Sequence, residues 1–142
     1  VTPDLKPFRL LGDERGSLIA IEAHTDVPFS IARIYYIFGT KAGVARGCHA
    51  HKSLQQVVVA VSGSCTLMLD DGHLQREMVL DDPAHGVWIG SMVWRELKHF
   101  SPDCVLLVLA DQAYDEADYI RDYTAFTEAI AAREAHSDPS GQ

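Results

Sequence analysis

The chain has 142 residues, with 12 Lys and Arg against 20 Asp and Glu, and a formal net charge of -8. That length suits one domain, residues 1–142, with a core of its own. The acid excess excludes a surface built for nucleic acid, but a local basic cluster can still take an anionic small ligand.

Hydrophobic residues at 47% and charged residues at 23% match a soluble globular protein. No apolar run reaches the ~18 residues of a spanning helix, and no signal peptide is recognised. A cytoplasmic enzyme or binding protein without a membrane partner is the expectation. The three cysteines, Cys48, Cys65 and Cys104, are odd in number and lack C-x-x-C spacing, so they read as free thiols.

The pattern is mostly strand-like. Ser17–Glu22 follows the turn signal Asp13-Glu14-Arg15-Gly16, and Phe29–Phe38, rich in Ile and Tyr, follows Pro28. In Phe29–Phe38, Tyr35 shares parity with Arg33 and Ile37, while Tyr36 takes the opposite face. Gln55–Val61 is a β-branched run closed by Ser62-Gly63. Ser64–Leu69 and Leu74–Leu80 flank the hairpin signal Asp71-Gly72. Gly86–Trp94 holds two short extended pieces around Gly90, and Cys104–Ala110 reads as a strand buried on both faces. Helical spacing begins only at Thr124–Arg133, with Asp122 or Thr124 as N-cap. Residues 135–142 read as a flexible polar tail. Many short strands with tight turns predict an all-β sandwich or barrel, with one C-terminal helix outside it.

The chemistry concentrates in Arg46-Gly47-Cys48-His49-Ala50-His51-Lys52. On a strand, His49 and His51 point to one face, where they can bind a metal, move protons or hold a polar ligand. The spacing resembles the two motifs of cupin barrels. Gly43, His49, His51 and Gly63 fit the first, with Gln55 where a Glu ligand would stand. Pro83 to Trp94 fits the second, with Trp94 where a His ligand would stand. A transition-metal site of this kind wants about three His and one carboxylate. Two His, an amide and an indole do not supply it, so no metal is expected, and His24, His73, His85, His99 and His136 read as solvated. General acid-base chemistry fits the pair instead, because histidine titrates near ~6.5. Arg46 is a candidate for holding an anionic oxygen or phosphate.

Beyond these motifs, the chain resembles the nucleotide-sugar 3,4-ketoisomerases of the cupin superfamily, the WxcM-like or FdtA-like group. The matching segments are Arg15-Gly16-Ser17-Leu18, Pro28-Phe29-Ser30-Ile31, residues 33–38 and 46–52, Gly63-Ser64-Cys65, residues 69–72, Val93-Trp94 and Asp118-Tyr119-Ile120-Arg121. The resemblance implies a jelly-roll fold and a homodimer, with no metal or redox cofactor. It implies a dTDP-linked 4-keto-6-deoxy sugar whose carbonyl moves from C4 to C3, and a downstream aminotransferase that takes the product. It casts His49, His51 and Tyr35 as catalytic, His49 being the leading base. Arg46, Arg15, Arg95, Trp94 and Gln55 are cast as substrate-binding; relatives carry His at position 95 in some cases. Which imidazole serves carbon, and the C4 configuration of the product, stay open. The alternatives are a sugar-nucleotide 3,5-epimerase, a metal-dependent dioxygenase and a non-enzymatic sugar-binding cupin. The segment 118–123 reads as an interface element or a brace for the last helix.

Overall fold

The structure is a computed structural model that describes residues 4–137. In chain order the strands are β1 (Asp4–Pro7), β2 (Leu11–Asp13), β3 (Gly16–Leu18), β4 (Arg33–Ile37), β5 (Arg46–His51), β6 (Gln56–Ser62), β7 (Cys65–Asp70), β8 (Gln75–Leu80), β9 (His85–Ile89), β10 (Trp94–Lys98), β11 (Val105–Ala110) and β12 (Tyr119–Ile120). A single 3-10 turn, Glu116–Asp118, precedes β12, and helix α1 (Tyr123–Ser137) follows it.

Two five-stranded antiparallel sheets face each other. One has the order β1-β9-β6-β11-β4 and the other β12-β5-β10-β7-β8. They are not joined edge to edge by strand pairing, so the fold is a sandwich of the expected all-β class. β2 and β3 form a separate hairpin. Side chains from both inner faces meet in one core, including Val58, Leu67, Leu69, Val87, Leu97 and Leu106. That core fills only part of the gap between the sheets, and polar side chains line the rest.

The outer face of each sheet is also covered, which explains the continuous apolar runs in the sequence. Val57, Val59 and Leu109 on the first sheet pack under Phe8, Val27 and Phe29. The chain over residues 19–32 is therefore a covering segment rather than a strand. This is why the expected strand Ser17–Glu22 contracts to Gly16–Leu18 and the expected strand Phe29–Phe38 begins only at Arg33.

On the second sheet, α1 lays Phe126 and Ile130 against Ala50, Met68, Trp94 and Ile120. Asp122 is the cap: its side chain accepts from Ala125 N at 2.9 Å and its carbonyl from Phe126 N at 2.9 Å. The helix runs past the expected end at Arg133, so 135–137 are helical; the rest of the expected tail, 138–142, lies outside the described residues. No helix among the described residues is long and apolar enough to cross a membrane.

Candidate active site

The site sits between the sheets, and strand parity decides who belongs to it. β4 alternates, with Arg33, Tyr35 and Ile37 turned inward while Ile34, Tyr36 and Phe38 stay exposed. This selects Tyr35 over Tyr36. β5 turns His49 into the cavity, with His51 buried against it on the same face, and Ala50 outward to the helix. Arg46 lies three residues before His49, and on a regular strand it would face the other way. The register slips by one residue here: Arg95 pairs with His49, but Leu97 pairs with Arg46. Gly47 takes φ 66° at this bulge, a conformation glycine adopts without strain. The bulge returns Arg46 to the cavity side.

The resulting cavity holds about 240 Å³ and is lined by Arg33, Arg46, Arg95 and Arg121 together with Tyr35, His49, Gln56 and Tyr119. None of the lining residues is acidic. A chain that is negative overall has thus gathered four guanidiniums around one pocket. Arg121 is paired with Glu116, at 2.8 Å and 2.9 Å. Nε and Nη2 of Arg33 are buried without any hydrogen-bond partner, and its guanidinium lies 5.1 Å from the Tyr35 ring centre and 5.6 Å from that of Tyr114.

The two histidines touch. Their Nε2 atoms are 3.1 Å apart, with the rings nearly perpendicular at 89°. His51 is fully buried, and its Nδ1 lies 3.2 Å from Oδ2 of Asp118. Asp118 accepts as well from Ser53 N, Ser53 Oγ and Leu54 N, at 2.9, 2.8 and 3.1 Å. Burial pushes this carboxyl up, but those donors outweigh it and hold it below its ordinary range. An ionised carboxylate only accepts, so His51 carries its proton on Nδ1. A neutral His51 then has a bare Nε2, which accepts from Nε2–H of His49. The bare nitrogen left in the chain is Nδ1 of His49. Tyr119 closes over both rings, its centroid 4.9 Å from His49 and 4.3 Å from His51.

Both imidazoles are held neutral. Burial first, then the charge of Arg95, lowers His49 to about 3 and His51 to about 4. Arg95 is itself buried, and desolvation lowers it to about 10, so it remains a cation at neutral pH. Among the described residues no third His, Cys, Asp or Glu joins the pair in a metal-binding cluster.

Of the residues expected to bind substrate, Arg46 and Arg95 line the cavity. Trp94 does not. It precedes Arg95 by one residue, faces the opposite side of β10 and packs against Tyr123 and Phe126 of α1. Gln55 also stands aside, before β6 begins, and accepts from Trp88 Nε1 at 2.9 Å. The inward residue is its neighbour Gln56. Arg15 is at the turn of the β2–β3 hairpin, its side chain 87% exposed and ion-paired with Asp13, and is not part of the cavity wall. Sequence reading missed Arg33, Gln56, Asp118, Tyr119 and Arg121. The last three lie in the segment 118–123, which was legible as a motif but not as a part of the site.

The chain is similar to known proteins along most of its length. The FdtA family model, described as WxcM-like, C-terminal, matches residues 2–131. The chain belongs to that family. A TDP-4-oxo-6-deoxy-alpha-D-glucose-3,4-oxoisomerase of Aneurinibacillus thermoaerophilus is 53% identical over 124 residues, 87% of this chain and 89% of that protein. The 3,4-ketoisomerase QdtA from Thermoanaerobacterium thermosaccharolyticum, solved as a histidine-to-asparagine mutant with TDP-4-keto-6-deoxyglucose, has a TM-score of 0.90 and 40% identity, covering 92% of this chain and 95% of that one. WlaRB, a TDP-quinovose 3,4-ketoisomerase from Campylobacter jejuni, has a TM-score of 0.85 and 47% identity, covering 89% and 97%.

Proposed function

We propose that this FdtA-family protein is a 3,4-ketoisomerase of TDP-4-keto-6-deoxyglucose, and that the His49–His51–Asp118 chain moves its protons. The observation that carries the reading is this relay ending on a cavity that is walled by guanidiniums and free of carboxylates.

The C3 proton is acidified by the adjacent C4 carbonyl. Nδ1 of His49 takes it, and the C4 oxygen gains the electron pair as an enediolate forms. His49 can then pass its Nε2 proton to Nε2 of His51, where the new positive charge sits beside Asp118. The returning proton is delivered to C4. The hydroxyl proton of O3 is transferred to O4, so the product is the 3-keto sugar and the enzyme is unchanged. Tyr35 serves the oxygens, and Arg95 offsets the enediolate charge. Arg33 and Arg46 hold the diphosphate; for Arg33 the support is its two buried N–H groups that lack acceptors.

A second copy of the chain is the proposed partner. Leu10, Leu11 and Leu18 around the β2–β3 hairpin and Ile34, Tyr36 and Phe38 along the edge strand β4 are exposed large apolar side chains, which a homodimer would cover. The substrate contact of Arg15 then runs across the subunit boundary. An aminotransferase that takes a 3-keto sugar is the proposed next step.

NMR of the product made in heavy water tests the reading. A 3-keto sugar without deuterium at C5 is expected. Deuterium at C5 would make the protein a 3,5-epimerase, and binding of the substrate without turnover would make it a binding module.

A further inference from the structure

Gln56 is buried, 3% exposed, between Arg95 and Tyr35 in the cavity wall. Arg95 Nη1 donates to Gln56 Oε1 at 2.6 Å, and Gln56 Nε2 donates to the Tyr35 hydroxyl oxygen at 2.9 Å. Arg95 is pinned from behind, its Nε and Nη2 donating to the Val93 carbonyl at 3.3 and 3.0 Å.

The direction of this chain is fixed by chemistry. A guanidinium has donors and no acceptor, so the amide oxygen of Gln56 must face it. The amide nitrogen then faces Tyr35 and uses the phenolic oxygen as an acceptor. The proton of that phenol has to point elsewhere. Among the described residues no protein acceptor meets it, and Tyr35 lines the cavity.

We propose that Gln56 is a positioning residue: held by Arg95, it turns the Tyr35 hydroxyl proton into the cavity and makes Tyr35 the donor to the substrate oxygen at C4. This rests on the isomerase reading. As the C3–H bond breaks, the C4 carbonyl pair moves onto O4, which receives the Tyr35 proton. As C4 is protonated, the phenol oxygen recovers a proton from O3, so it ends as it began. Gln56 touches neither sugar oxygen; it acts through the phenol.

Gln56→Glu reverses the direction at almost unchanged shape. The carboxylate still pairs with Arg95, so a merely structural role is preserved. Its second oxygen accepts, and the Tyr35 proton turns toward residue 56. The expected result is a kcat about 10–10³-fold lower, with KM and affinity for TDP within about threefold of the parent. The double variant Gln56→Glu/Tyr35→Phe should be no slower than Tyr35→Phe alone. Gln56→Met removes both hydrogen bonds at similar length, frees the phenol to rotate and should lose about tenfold in kcat.

A readout without turnover separates this inference from the isomerase reading. Tyrosine ionisation followed by ultraviolet absorbance, with Tyr35→Phe subtracted, should place the Tyr35 phenol higher in the Glu variant than in the parent, because the carboxylate holds its proton. An unchanged titration, a parental kcat in either single variant, or losses that multiply in the double variant would overturn it. A parent protein that makes no 3-keto sugar would refute the isomerase reading, while the titration still decides the hydroxyl's direction.

Discussion

Asp118→Asn isolates the proton relay from binding. Asp118 receives four donors, from His51, Leu54 and twice from Ser53. An asparagine has one oxygen for them. With that oxygen kept on the two Ser53 donors, the new amide nitrogen faces His51 Nδ1 and can only donate to it. His51 must then move its proton to Nε2 and donate it to His49, whose own proton shifts to Nδ1. One substitution therefore reverses both tautomers and removes the bare nitrogen from the catalytic chain. Loss of a positioned base costs about 10²–10⁴ in kcat, or about 3–5 kcal/mol of barrier. Leu54 N–H, left against a donor, costs about 1–3 kcal/mol of stability. Asp118 is not in the cavity wall, so KM and TDP affinity should stay within about threefold. Steady-state kinetics with trapping of the 3-keto product, beside ¹⁵N chemical shifts of the two imidazoles, is the assay. A variant that turns over at the parental rate, or keeps the Nδ1–H tautomer of His51 while losing activity, would refute the relay.

Replacing Arg33 by Met should weaken TDP binding by about 10–100-fold, the worth of a charge-assisted hydrogen bond; parental affinity in calorimetry would remove Arg33 from the phosphate site. The same variant should melt no lower than the parent, since it deletes two buried nitrogens that lack partners. The pH dependence follows from two histidines lowered to about 3 and about 4 in the fold. Below pH ~6.5 the unfolded chain binds protons there that the folded chain refuses, so stability is full above that pH. It should fall as pH drops toward about 4, by about 1.4 kcal/mol per unit for each histidine. Denaturant melts across pH 7 to 4.5 check this, and a profile flat over that window contradicts the neutral pair.

How much of this was legible in the sequence depends on parity. The His-x-His spacing put both imidazoles on one face and the fold class followed from the run of short strands, whereas parity separated Tyr35 from Tyr36 without saying which of them faces inward. Two of the candidates that lie off the cavity wall are each one residue from a side chain on it, Gln55 beside Gln56 and Trp94 beside Arg95, itself a candidate, while Arg15 sits apart on the β2–β3 hairpin. A motif alignment fixes position to within a residue, whereas a strand inverts its faces at every residue. Trp94 and Arg95 also sit in a strand covered on both sides, where polarity does not announce the inner face. Asp118 was out of reach for another reason. It acts on a histidine 67 residues earlier in the chain, and only the pairing of β12 with β5 brings them together.

Several polar anomalies of the described chain collect around one cavity. An uncharged His49, a desolvated arginine and a second arginine with unanswered N–H groups face the same cavity, and an uncharged His51 is buried directly against His49. Each is unfavourable to folding when taken alone. A core built for stability would not gather them, whereas a site that must accept a dianion would. Burial depresses the histidines first and the charge of Arg95 adds to it, so the cationic wall deepens a shift that desolvation begins. Burial and that charge together keep the relay deprotonated and ready to accept. The cationic wall and the proton relay are thus two parts of one electrostatic arrangement, and charge removed from the wall should be read out at the histidines as well as in affinity.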